Sequence, residues 1–307
     1  MNWPDVGDAM FGGVADYGAI LVLVANSVIA GAVLGLVGGL VGVFVMQRDM
    51  AFAVHGISEL SFAGAAFALL VGFDVVTGSI VGSLVAAAII GVLGAKARDR
   101  NSIIGVLMPF GLGLGILFLS LYNGRSANRF SLLTGQIVSV QGGQLGWLIV
   151  ISAAVLLGLL AIWRPLRFDS LDPQSAAARG VPTTVVSLGF MLLLGLMVAV
   201  SVHIIGALLV MALLVTPAAA AMRVASGPVS VPLLSALFGF FSAVVGILLA
   251  VAGTLPVSPY ITTISFAIYV VCRIIGSRRG RVERRRADAS ESMTASVAAQ
   301  GAPMPRG

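Results

Sequence analysis

The chain has 307 residues, of which 59% are hydrophobic and only 10% charged, with a mean hydropathy of +1.07. A water-facing globular surface needs about a quarter charged residues, so this composition excludes an ordinary soluble domain and points to many membrane-spanning helices. The formal charge of +6 does not mark a nucleic-acid binder, because the arginines fall between and after the apolar stretches, where they orient a chain in a bilayer.

The N-terminus, 1–17, carries Asp5, Asp8 and Asp16 and no basic residue before the first apolar run. It is a poor secretory signal and is expected to be a short extracytoplasmic segment of the mature chain. Nine apolar runs follow, at 18–46, 51–72, 75–95, 102–121, 145–163, 183–202, 204–222, 231–252 and 259–276. A helix needs about 20 residues to cross the hydrocarbon core, so these predict an all-α polytopic bundle of about nine transmembrane helices over 18–276. The sixth and seventh runs nearly fuse around Ser201 to His203. They are long enough for two crossings, and a broken or re-entrant pair would preserve the parity. Small residues throughout, including 38 glycines, suit helices that pack closely in lipid.

Orientation follows from the basic residues. With the N-terminus outside, inner loops hold Arg48, then Lys96, Arg98 and Arg100, then Arg164, Arg167 and Arg179, then Arg223, then Arg273 and the tail. Only Arg125 and Arg129 fall on the outer side, so the positive-inside rule predicts a cytoplasmic C-terminus. From Ser277 the tail, 277–307, is basic and then rich in Ala, Ser and Pro, which predicts a disordered cytoplasmic segment able to touch anionic lipid. Cys272 stands alone, so there is neither an intrachain disulfide nor a cysteine metal cluster.

Ionisable residues inside the runs are scarce. Glu59 is the one acidic residue placed within a span, and His55 precedes it by four, which puts both on one helix face. A carboxylate at membrane depth is costly and normally faces a cavity or a partner. Imidazole nitrogen with carboxylate oxygen suits zinc or manganese, and two ligands, short of the four of a closed zinc site, suit a path that must release its ion. The structural alternative is a hydrogen-bonded His55–Glu59 pair that only joins helices. His203, at the outer end of its span, is either an entrance ligand or a wet interfacial residue. Pro217 predicts a kink in the seventh span. In the longest inner loop Asp172 reads as an N-cap, Pro173 as the first helical residue and Gly180 as the stop. A short helix between spans is a docking element for a soluble partner, or else an interfacial connector.

Taken in order, several stretches resemble the permease family of zinc and manganese ATP-binding-cassette importers, over roughly residues 20–275. They are Arg48-Asp49-Met50-Ala51 through His55-Gly56-Ile57-Ser58-Glu59 and on to Gly64, then Ile104-Gly105-Val106-Leu107 through Gly115-Ile116-Leu117, then Leu133-Thr134-Gly135-Gln136-Ile137. The loop from Phe168 to Gly180 and the run Ile205-Gly206-Ala207-Leu208 through Thr216-Pro217-Ala218-Ala219 complete the set. The resemblance implies a type II importer-like fold in a bacterial plasma membrane. It implies a homodimer of permeases, two cytoplasmic ATPase subunits that bind ATP, and an extracytoplasmic protein that delivers Zn2+ or Mn2+. It also implies that Phe168, Asp169, Asp172, Pro173, Ala176, Arg179 and Gly180 belong to the loop that contacts the ATPase. By the same resemblance His55 and Glu59 lie on the ion path. The family usually has aspartate and then histidine at those two positions, so this chain presents the two ligand types in swapped order. The family's proline near Ala63 is absent.

The chain carries no phosphate-binding loop of its own, since its only lysine, Lys96, lacks the glycine-rich run such a loop needs. ATP hydrolysis is therefore expected in another polypeptide, and no enzymatic activity in this one. Iron is a third cargo the ligands would suit. A secondary transporter using His55 and Glu59 as a proton relay is the rival of a different class, and a permease for a metal chelate the rival within the class.

Overall fold

The computed structural model describes residues 24–94, 97–122, 124, 140, 142–251 and 257–300, and among them the chain is helical throughout. The helices are α1 (Ala25–Gln47), α2 (Ala51–Val71), α3 (Val75–Leu93), α4 (Ala97–Leu121), α5 (Gly142–Leu171), the short α6 (Pro173–Ala178), α7 (Thr183–Ile205), α8 (Ala207–Val224), α9 (Ser230–Val251) and α10 (Val257–Gln300). Eight are long and apolar enough to cross a membrane, while α8 is a shorter apolar helix over Leu209–Val224. The expected polytopic all-α bundle is thus present, and the chain is a multi-pass membrane protein. The N-terminal segment 1–17, Arg125, Arg129, Lys96 and the Leu133 to Ile137 stretch lie outside the described residues.

Helix ends follow local chemistry. Gly72, at φ 82°, closes α2, and Asp74 opens α3 by accepting hydrogen bonds from the Thr77 amide and hydroxyl, both at 2.8 Å. The near-fused sixth and seventh runs break at Gly206, whose φ of 83° only glycine adopts readily, three residues beyond the polar Ser201–His203 site. Phe190 of α7 and Ala218 of α8 both lie at the level of Val43 and Phe44 on α1. The chain therefore runs out along α7 and returns along α8.

Close contacts order the bundle. On α1, Gly35 meets the Gly239 carbonyl and Gly39 the Ser235 carbonyl, so α1 and α9 run antiparallel with backbones touching. Ser235 Oγ donates to Gly39 O at 2.6 Å across that seam. Gly64, Gly78 and Gly82 bring α2 and α3 equally close. Ser61 Oγ sits 2.7 Å from Ser79 Oγ, and Ser79 Oγ donates to Ala199 O at 3.1 Å, joining α2, α3 and α7. In α10, Ser265 Oγ donates to Ala212 O of α8 at 3.1 Å. Apolar helices in lipid gain little from the hydrophobic effect, so small residues and hydroxyl-to-carbonyl bonds hold the bundle. Pro109 and Pro217 lie inside α4 and α8.

Two helices differ from the sequence reading. The fifth run, expected to end at 163, continues as helix through Arg164 and Pro165 to Leu171. Leu148, Ile151, Val155, Leu159, Leu166 and Asp169 are all buried at helical spacing, so one packed face persists past the apolar stretch. Thirty residues rise about 45 Å, beyond a core of about 30 Å, so α5 protrudes at one end of the bundle. The last helix continues past the apolar run that ends at 276 to Gln300, and residues 281–300 contain neither Gly nor Pro but five Ala and four Arg, both helix formers.

Candidate functional site

Arg48 at the end of α1, Arg164 and Arg167 in α5, Arg179 after α6, Arg223 in α8 and Arg273 in α10 all gather at the end of the bundle where α5 protrudes. His203 and Asp74 lie toward the opposite end. Between them, on α2, stand His55 and Glu59. The helix begins at Ala51, so His55 is in its second turn from the basic end and Glu59 one turn further, near mid-helix.

The i, i+4 spacing places His55 Nε2 at 3.5 Å from Glu59 Oε1. The Glu59 side chain is 7% exposed and that of His55 29%, so the imidazole reaches the surface of the single chain while the carboxylate lies behind it. The separation is at the long limit of a hydrogen bond, looser than the 2.7–2.9 Å of a charge-assisted pair. His55 Nδ1 is buried without a protein partner. Ser58 does not join them, since its hydroxyl donates back to His55 O at 2.8 Å. On the opposite flank Gly56 and Gly111 let α4 pack against the α2 backbone.

His203 is not brought to this pair. It lies in the last turn of α7, with Nε2 3.4 Å from the side-chain amide of Gln144, and interacts electrostatically with Asp74. Among the described residues no three His, Cys, Asp or Glu side chains converge as a metal cluster. Burial pushes the Asp74 carboxyl up, but hydrogen bonds from Thr77 and Val76, with the field of His203, bring it below its ordinary value.

At the basic end each residue of the α5–α7 connection has a defined position. Asp172 caps α6, accepting from the Gln174 and Ser175 amides at 3.1 and 3.0 Å and from the Ser175 hydroxyl. The bonds from Ser175 hold its carboxyl below the usual carboxylate range. Pro173 is the first helical residue, and Gly180, at φ 80°, turns the chain so that Val181 N–H returns to Ala176 O at 3.1 Å. The Arg179 guanidinium lies 5.6 Å from the centroid of the Phe168 ring. Only Ala176 is buried, and the rest of α6 faces outward. A six-residue helix pinned by one alanine and two caps is a presented surface. Replacing Asp172 with alanine is expected to fray it, read as faster proteolysis and hydrogen exchange over residues 172–180, whereas asparagine, which still caps, keeps it ordered.

Asp169 has the contact that sequence reasoning missed. Its Oδ2 accepts a hydrogen bond from Arg48 Nη1 at 2.7 Å, with side-chain exposures of only 4% and 10%. The partners are 121 residues apart, and nothing local to either reveals the other. Removing one member of such a buried pair costs about 3–5 kcal/mol.

Several known proteins are similar to this chain in sequence or fold. The manganese transport system membrane protein MntC of Halalkalibacterium halodurans is 27% identical over 256 residues, covering 83% of this chain and 88% of that protein. The manganese import system permease protein ScaB of Streptococcus parasanguinis is 28% identical, covering 83% and 91%. Among solved structures, PsaBC from Streptococcus pneumoniae in complex with Fab superposes with a TM-score of 0.76 at 28% identity, covering 84% of this chain and 95% of that one. The model of the ABC 3 transport family matches residues 21–276, and the chain belongs to that family.

Proposed function

We propose that this chain is the membrane-spanning permease subunit of an ATP-driven importer of divalent transition metal ions, manganese or zinc. The observation that carries the reading is the His55–Glu59 pair, one nitrogen and one oxygen ligand held on one face of α2 at mid-membrane. A pair that existed only to neutralise itself would close to a short bond. This one is loose, and His55 Nδ1 is left without a protein partner. The manganese-transport relatives support a bare divalent ion over a chelate.

One chain supplies two ligands, and its imidazole reaches the outer surface of the bundle. A homodimer that apposes two copies of α2 would therefore complete a set of four, the number a tetrahedral ion requires, across a seam that can open on either side. His203, at the opposite end, is placed to meet the ion on entry. The basic end faces the cytoplasm by the positive-inside rule, with α6 presented to ATPase subunits that bind and hydrolyse ATP. An extracytoplasmic binding protein delivers the ion to the other end. ATP-driven closure of the ATPases shifts α6, and the cavity between the permeases changes sides.

The test is uptake of Mn2+ or Zn2+ into proteoliposomes containing this chain and its ATPase. ATP-dependent accumulation is the expected result. Accumulation by the permease alone down a proton gradient would replace this reading with a secondary transporter.

A further inference from the structure

We infer that the Arg48–Asp169 ion pair is the link through which movement of α6 reaches the metal-bearing helix α2, an inference that rests on the proposed function. Arg48 stands where three elements meet. Through Asp169, and through Ser170 Oγ at 3.4 Å, it grips the end of α5 immediately before α6. Its guanidinium also lies 5.9 Å from the centroid of the Phe190 ring on α7, the helix that follows α6. Both supports of α6 are thus held by one side chain.

The backbone of Arg48 belongs to the turn that launches α2. Asp49, the next residue, has φ 54°, the only positive φ at a non-glycine residue among those described. Such a conformation persists where its surroundings impose it and is common in switch segments. Met50, the N-cap of α2, is buried at 2% exposure, and its amide bonds to Val45 O at 2.8 Å. The turn is therefore a stiff crank between α1 and α2, with His55 five residues beyond it. α6 itself packs against α5 and α7, and Arg48 ties the ends of both to the turn that launches α2, beside the direct packing of α7 on α2.

The surroundings allow the crank to turn. A polar cavity of about 450 Å³ adjoins the ion pair, walled by Arg48, Asp49, Asp169, Pro173, Thr183 and Thr184 among others. Close-packed interiors resist displacement, whereas a pair beside a polar cavity can shift and re-form. Arg48 and Asp169 touch neither the ion nor the exposed face of α6, so both are positioning residues.

The test uses the full permease–ATPase complex in proteoliposomes. Asp169→Asn is expected to lower metal uptake per ATP hydrolysed by about tenfold. Asp169→Glu, which keeps the charge, restores most of it. Environment-sensitive labels on cysteines introduced by Ala177→Cys on α6 or Phe52→Cys on α2, both exposed positions, are placed in a Cys272→Ser background and give the decisive readout. In the otherwise wild-type chain both labels respond to ATP, and in Asp169→Asn the label on α6 responds while the label on α2 does not. A response on α2 preserved in the variant overturns the inference, as does loss of both responses, which would give the pair a docking role. If the wild-type complex itself moves no metal, the proposed function fails instead.

Discussion

Replacing Glu59 with glutamine is expected to lower ATP-dependent metal uptake by roughly 10–100-fold, at unchanged protein yield and ATPase binding. The lower bound is what loss of even an outer partner costs a metal site. Glutamine keeps the shape of the side chain, so packing is conserved. What it removes is the negative charge that, on the proposed path, would balance a dication within the membrane, where a charge is poorly screened by solvent. His55→Ala deletes the nitrogen ligand and is expected to act in the same direction. The sharper comparison is the double exchange His55→Asp with Glu59→His. It keeps one oxygen and one nitrogen ligand on the same face at the same spacing. If the ligand set matters and its order does not, the double variant transports while each single loss fails. Uptake that survives Glu59→Gln intact would assign the pair a purely structural role.

Much of this architecture is legible in the residues themselves, and the exceptions share a cause. Apolar runs and arginine placement are local signals, so the bundle and its basic end follow from them directly. The α6 caps are local too, since Asp172, Pro173 and Gly180 act through backbone groups within four residues of each. Gly206 was legible in principle, because a glycine between two apolar runs marks a left-handed turn better than the neighbouring polar residues do. The extension of α5 to Leu171 was obscured by Pro165 and two arginines, which read as a loop, while the burial of Leu166 and Asp169 comes from packing alone. The Arg48–Asp169 pair depends wholly on tertiary structure. The tail illustrates the converse, since its composition lacks any apolar periodicity and yet its intrinsic helix propensity continues α10.

The second large effect concerns stability and is argued from glycines. In an exposed helix, Gly→Ala ordinarily stabilises by about 1 kcal/mol. At Gly105 and Gly113 of α4 a Cβ would meet nothing within 4 Å, and that gain is expected in full. At Gly38 the nearest atom is the flexible Cδ1 of Leu214 at 3.1 Å, which can yield, so the change should be near neutral. At Gly35 the Cβ would strike the Gly239 carbonyl, and Gly239 meets Gly35 O in return. Backbone cannot rotate away as a side chain can. Relief requires α1 and α9 to separate, which also pulls Ser235 Oγ from Gly39 O at 2.6 Å. Gly35→Ala is therefore expected to invert the usual sign and destabilise by about 3 kcal/mol or more, combining overpacking with a lost hydrogen bond. Thermal aggregation of the detergent-purified permease, compared across Gly105→Ala, Gly38→Ala and Gly35→Ala, reads the series in one experiment. A flat series would mean that the α1–α9 contact is not a close one. A steep series would show that α1 is clamped to α9 along its glycine face.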